Sequence, residues 1–166
     1  MKTIRLLWSA LLTVMILSGC GQIIDKQSGN TSVQQASDTI LDEMERSNGH
    51  TLEKHVGKTD EQLRERINQE NVTAASTYYN KETATKAVRE SLRIHDKEIR
   101  QWLNESKRDR LVLNTHHSFA VGKTVLRSDM RVHEDVHNTV TVLARDSSSA
   151  LKYKIITSYP NLKRGE

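Results

Sequence analysis

The sequence predicts an α+β domain in which N-terminal helices pack on an antiparallel sheet. Two observations carry this. Apolar residues recur at three- and four-residue spacing up to about residue 104, and the pattern changes to short β-forming runs after residue 110. The last two runs flank the turn sequence Asp146-Ser147-Ser148-Ser149, which predicts an antiparallel hairpin. Helices followed by strands, rather than alternating with them, argue for α+β.

Three helical segments come first. Residues 51–56 form a short piece, stopped by Gly57. Thr59 and Gln62 form a T-x-x-Q capping box, with Leu63 and Ile67 on one face of the helix that follows. The longest segment is 81–104. There Ala84, Val88, Leu92, Ile99, Trp102 and Leu103 make an apolar stripe, and Asn80 is placed to cap its start. Strands are expected at 111–114, 119–127, 140–145 and 153–159. Aromatic residues are only 4% of the chain, so the core rests on Leu, Ile, Val and Ala.

The N-terminus is a different material. Lys2 and Arg5 precede the apolar run Leu6–Leu17, which has the layout of a secretory signal and is short for a bilayer span. Leu17-Ser18-Gly19-Cys20 resembles a bacterial lipobox, and the chain's single cysteine falls where acylation needs it. Gly21 rather than Asp follows, which favours the outer membrane. The expected organisation is a lipoprotein signal at 1–19, lipidated Cys20 with a polar tether over 20–48, and the domain over 49–166. A weak helix is expected at 37–46 within the tether. Acyl chains at Cys20 would anchor the protein to the membrane of the cell envelope. No second thiol remains for an intramolecular disulfide, so the exported domain depends on its core alone.

The whole chain carries a net charge of +4. Residues before 47 hold four basic and five acidic side chains, which leaves 47–166 at +5 with all seven histidines. That balance is compatible with an anionic substrate and does not identify one. VGKT occurs at 56–59 and 121–124, but the glycine that a phosphate loop requires five residues earlier is Leu52 in one case and His117 in the other. Nucleotide hydrolysis is excluded. His133-Glu134-Asp135-Val136-His137 matches the H-E-x-x-H zinc signature, but the segment is polar, a strand follows at once, and no third ligand is at hand. Adjacent His116 and His117 point to opposite faces of a strand and read as surface residues. His95 reads as a partly buried, hydrogen-bonded histidine. On one helix, His50 and His55 would be rotated apart by about 140°, so they cannot share a metal. A single acid–base histidine, His55, with Arg66 as a fixed cation is the functional reading. Composition alone favours a solvated helix.

The blocks H-T-L-E-K-H-V-G-K-T-D-E-Q-L (50–63), S-T-Y-Y-N-K-E-T-A-T-K-A-V (76–88), Trp102-Leu103 and I-I-T-S-Y-P (155–160) change that balance. In order and over about 49–160, they resemble the RNase A-like domain at the C-terminus of bacterial contact-dependent growth inhibition toxins. The resemblance implies a kidney-shaped fold with a curved antiparallel sheet and without disulfides. It also implies RNA endonuclease activity without metal or other cofactor, and a cognate immunity protein as partner. The family's catalytic histidine falls on His55, its arginine on Arg66, and its Thr and Tyr on Thr157 and Tyr159. The expected reaction is transphosphorylation of RNA, with His55 as general base. The family domain usually ends a very large toxin, whereas here it follows a lipobox. A non-enzymatic envelope binding module on the same fold is therefore the rival expectation. A monomer is expected in either case.

Overall fold

The computed structural model describes residues 37–162. The signal segment, Cys20 and the first part of the expected tether lie outside the described residues. Helix α1 (Ile40–Arg46) opens the fold, followed by α2 (Thr51–His55) and α3 (Asp60–Glu70). Strand β1 (Ala74–Tyr78) separates these from α4 (Lys81–Ile94) and α5 (Asp96–Glu105). Five strands complete the chain: β2 (Arg110–His116), β3 (Gly122–Leu126), β4 (Val132–Val136), β5 (Asn138–Arg145) and β6 (Tyr153–Pro160).

The strands form two three-stranded antiparallel sheets, ordered β1-β3-β4 and β2-β5-β6. The main core lies where α1, α4 and α5 pack against the β2-β5-β6 sheet. Ile40, Leu41, Val88, Leu92, Ile99, Trp102, Leu113, Leu143 and Ile155 meet there. A smaller cluster of Leu63, Ile67, Ala75 and Val125 sits between α3 and the other sheet. Strand β2 shows the alternation expected of a sheet with one buried face, with Leu111, Leu113 and Thr115 inward. Helices with antiparallel sheets are the α+β arrangement that the sequence predicts.

The local expectations hold in part. Both halves of the Thr59–Gln62 capping box are formed, and Leu63 and Ile67 are buried. Asn80 Oδ1 accepts from the Thr83 amide at 2.8 Å. Gly57 has φ +64°, a left-handed conformation that glycine adopts at little cost. The 146–149 turn joins β5 to β6, and Asp146 Oδ1 accepts from the Ser148 amide.

Other features differ. The 81–104 helix is two helices, broken at His95 (φ −95°, ψ 15°), whose half-buried ring bonds Glu98 at 2.9 Å. Strand β1 was not expected; its small and polar letters, AASTY, hide four buried residues. The H-E-x-x-H segment is strand β4 running into the β5 junction, so His133 and His137 do not share a helical face. His117 is fully buried rather than on the surface. Helix α1 belongs to the core: Ile40, Leu41 and Met44 are at most 8% exposed. The folded body thus reaches back past Gly49 into the expected tether, because these apolar residues find a partner that the surrounding polar letters conceal.

Candidate active site

Strand β6 is at the edge of its sheet, so one side of its backbone needs partners from elsewhere. The start of α2 supplies them. The His50 amide donates to Ile156 O (3.0 Å), and the Ser158 amide donates to Thr51 Oγ1 (2.8 Å). This docking lays His55, at the end of α2, beside the outer part of β6. The His55 and Tyr159 rings stack with centroids 5.1 Å apart. Thr157 and Tyr159 are two residues apart on β6 and share a face, as their spacing predicts.

A second element grips His55 from the other sheet. Its Nδ1 lies 3.1 Å from the backbone oxygen of Ser76 in β1. A carbonyl only accepts, so Nδ1 carries the proton and Nε2 keeps its lone pair. Arg66 Nη1 lies 3.5 Å from the same Nδ1. Two donors cannot bond each other, so this contact is electrostatic rather than a hydrogen bond. The guanidinium is held by Glu70 (2.9 Å from Nε) and by the Lys54 carbonyl (3.4 Å from Nη1). His55 is only 6% exposed, and burial pushes its pKa down to about 4. The Ser76 hydrogen bond opposes that shift, while Arg66, His50 and Lys54 add to it. The imidazole is therefore neutral at pH 7.

Thr157 Oγ1 is buried and has no hydrogen-bond partner among the described residues. An unpaired buried hydroxyl is costly, and its hydrogen-bonding capacity is unspent within the described residues. Of the four residues expected from sequence, His55 meets both Arg66 and Tyr159, and Thr157 is on the same strand face as Tyr159. Cys20 lies outside the described residues.

Sequence reasoning missed the groups that align this set. Tyr78 Oη and Ser158 Oγ are 2.6 Å apart, and Ser158 Oγ is 2.8 Å from Thr141 Oγ1. This buried chain ties β1, which holds His55, to β6, which carries Thr157 and Tyr159. Burial raises the pKa of the Tyr78 hydroxyl. Tyr78 stands within the S-T-Y-Y block, so a signal was present, but one strand's letters do not reveal a bond across two sheets.

Residues 49–160 match a family profile described as the bacterial CdiA-CT RNAse A domain. The chain belongs to that family. A solved structure, the CdiA-CT/CdiI complex from Y. kristensenii 33638, is similar with a TM-score of 0.65 at 32% identity. The match covers 69% of this chain and all of that one. No curated protein matches. This is an RNase A-like toxin domain of the contact-dependent inhibition type, in a family of RNA endonucleases. The expected fold class is shown: mixed helices and antiparallel sheets, without a disulfide. The matched span begins at Gly49, so α1 lies upstream of it although it packs in the core.

Proposed function

We propose that this chain is a metal-independent ribonuclease that cuts RNA by transphosphorylation, using His55, Arg66, Thr157 and Tyr159. The observation that carries the reading is the state of His55: a neutral imidazole whose proton is fixed on Nδ1 by Ser76, leaving Nε2 as a base. In the reaction, Nε2 takes the proton of the 2′-hydroxyl as that oxygen attacks phosphorus. The P–O5′ bond breaks, giving a 2′,3′-cyclic phosphate and a 5′-hydroxyl. Arg66 and the unpartnered Thr157 hydroxyl stabilise charge growing on the phosphoryl oxygens. Tyr159, stacked on His55, helps to hold that charge. Base, cation and hydroxyl donors together supply proton transfer and charge stabilisation from side chains alone.

The lipobox and Gly21 support anchoring through lipidated Cys20, at the outer membrane of a bacterial envelope. The similar structure is of a CdiA-CT/CdiI complex, which supports a cognate immunity protein as partner. A soluble form beginning at Ser37, the first described residue, should cleave RNA in excess EDTA and leave cyclic phosphate ends. A folded protein that cleaves no RNA would leave the envelope binding module as the function. Palmitate labelling that survives Cys20→Ser would sink the lipid anchor.

A further inference from the structure

The proposed reaction accounts for the proton that leaves the 2′-hydroxyl. The departing 5′-oxygen also needs one, because an alkoxide is a poor leaving group. An imidazolium is a stronger acid than a phenol by roughly three to four pK units at reference values. A second histidine close to His55 would therefore suit the step better than Tyr159.

His50 is there. Ideal helical spacing turns it away from His55, but His50 is not in the helix: it is the residue before α2, with φ −143° and ψ 28°. Its ring consequently lies 6.5 Å from that of His55, centroid to centroid, tilted by 38°. At that separation one phosphodiester lying across the edges of both rings can be reached by a nitrogen of each. The backbone of His50 does the structural work, donating to Ile156 O. Its side chain caps nothing, and neither ring nitrogen has a hydrogen-bond partner among the described residues. The half-exposed imidazole is thus free to meet substrate.

Resting on the ribonuclease reading, we propose that His50 is the general acid, giving its proton to the 5′-oxygen as the P–O5′ bond breaks. His50 ends neutral and His55 ends protonated; exchange with solvent resets both. The surrounding charges suit this division. Glu45 of α1 and Glu53 of α2 favour a charged His50, while Lys54, Arg66 and burial oppose it. Its pKa is consequently lowered, chiefly by burial. His55 is far more buried, and a charge on His50 disfavours one on His55, so the first proton the pair binds goes to His50.

The test compares leaving groups, using the full chain in detergent. One substrate is a dinucleotide; the other is a nucleoside 3′-(4-nitrophenyl phosphate), whose phenolate leaves without a proton. His50→Ala and His50→Gln should lower kcat/KM for the dinucleotide by about 10²–10⁴-fold and change the aryl ester by only a few-fold. The alkaline limb of the dinucleotide pH profile should disappear with them. His55→Ala should lose both substrates. Equal loss on both substrates in the His50 variants would make His50 a binding residue and overturn the proposal, as would no loss on the dinucleotide. A wild-type protein inert on both would overturn the ribonuclease reading, and this proposal with it.

Discussion

His55 and His117 are the two buried histidines of the described fold, at 6% and 0% exposure, and their surroundings differ in one decisive respect. His117 has both ring nitrogens occupied. Nδ1 donates to Glu90 Oε2 at 2.5 Å, and Nε2 accepts from Thr139 Oγ1 at 2.9 Å. It thereby pins α4 to β5. His55 has one nitrogen occupied, by Ser76, and one with no partner among the described residues. Burial pushes both pKa values down, so desolvation does not separate a site from a strut. The hydrogen-bond inventory does. A saturated imidazole holds the fold, whereas a half-saturated one beside a cation keeps a nitrogen that can exchange a proton.

The most severe break in this comparison is to exchange the outcomes. His55→Ala should lower RNA cleavage by at least about 10³-fold, since it removes the proposed base, while the thermal transition stays cooperative. His117→Ala should do the reverse. It leaves Glu90 and Thr139 without their buried partner, at about 2–4 kcal/mol of stability. The folded fraction should keep its kcat. Activity lost in the His117 variant while the melting curve is unchanged would show that the distinction is wrong.

Acid sharpens the same contrast. A histidine whose folded pKa is lowered refuses a proton that the unfolded chain accepts. Stability is therefore greatest above the unfolded value near 6.5 and falls as pH drops toward the folded value, about 4 for His55. The ceiling of that loss for His55 is roughly 3 kcal/mol. His55→Asn should flatten the slope of stability between pH 6.5 and 4, measured by urea unfolding. For the wild type, the acid limb of kcat/KM should fall near pH 4 rather than near 6.5. An acid limb at the ordinary imidazole value would mean that His55 is solvated in the working enzyme.

The two histidines were not equally legible. His55 sits in a block whose residues resemble a known domain, and its helix stops at the readable signal of Gly57. His117 read as a surface residue because adjacent histidines at a strand end show nothing of a glutamate 27 residues away. Partners of this kind exist only once α4 crosses the sheet. The same reason hid β1: its burial comes from β3 and α3, not from its own hydropathy. His50 was misjudged differently. A rotation of 140° from His55 requires His50 to be helical, but α2 starts one residue later, at Thr51.

A smaller effect probes the link between the halves of the cleft. Tyr78→Phe removes one hydroxyl and keeps the ring. Ser158 retains Thr141 and the Val140 carbonyl, so the cost should be near 1 kcal/mol. The loosened register between β1 and β6 should slow cleavage by about tenfold, because positioning errors well below an ångström matter to phosphoryl transfer. A change in stability with no change in kcat would make this chain of hydroxyls packing alone.

The mildest prediction concerns a residue outside the matched family span. Helix α2 has five residues, too few to persist alone, and its N-cap side chain makes no hydrogen bond. Glu45 of α1 fills that role from a distance: its carboxylate accepts from the Leu52 amide at 3.1 Å and the Glu53 amide at 2.7 Å. A negative charge there also complements the helix N-terminus. Glu45→Ala should cost about 1 kcal/mol of stability, and Glu45→Gln should restore part of it by keeping an acceptor. Hydrogen exchange should report the loss at Leu52 and Glu53 before it reports anything at His117. Slowed cleavage alongside faster exchange would show that the helix carrying His55 is held in place by chain upstream of the family's own boundary. Uniform exchange across both regions would instead mean that α1 acts only as part of the core.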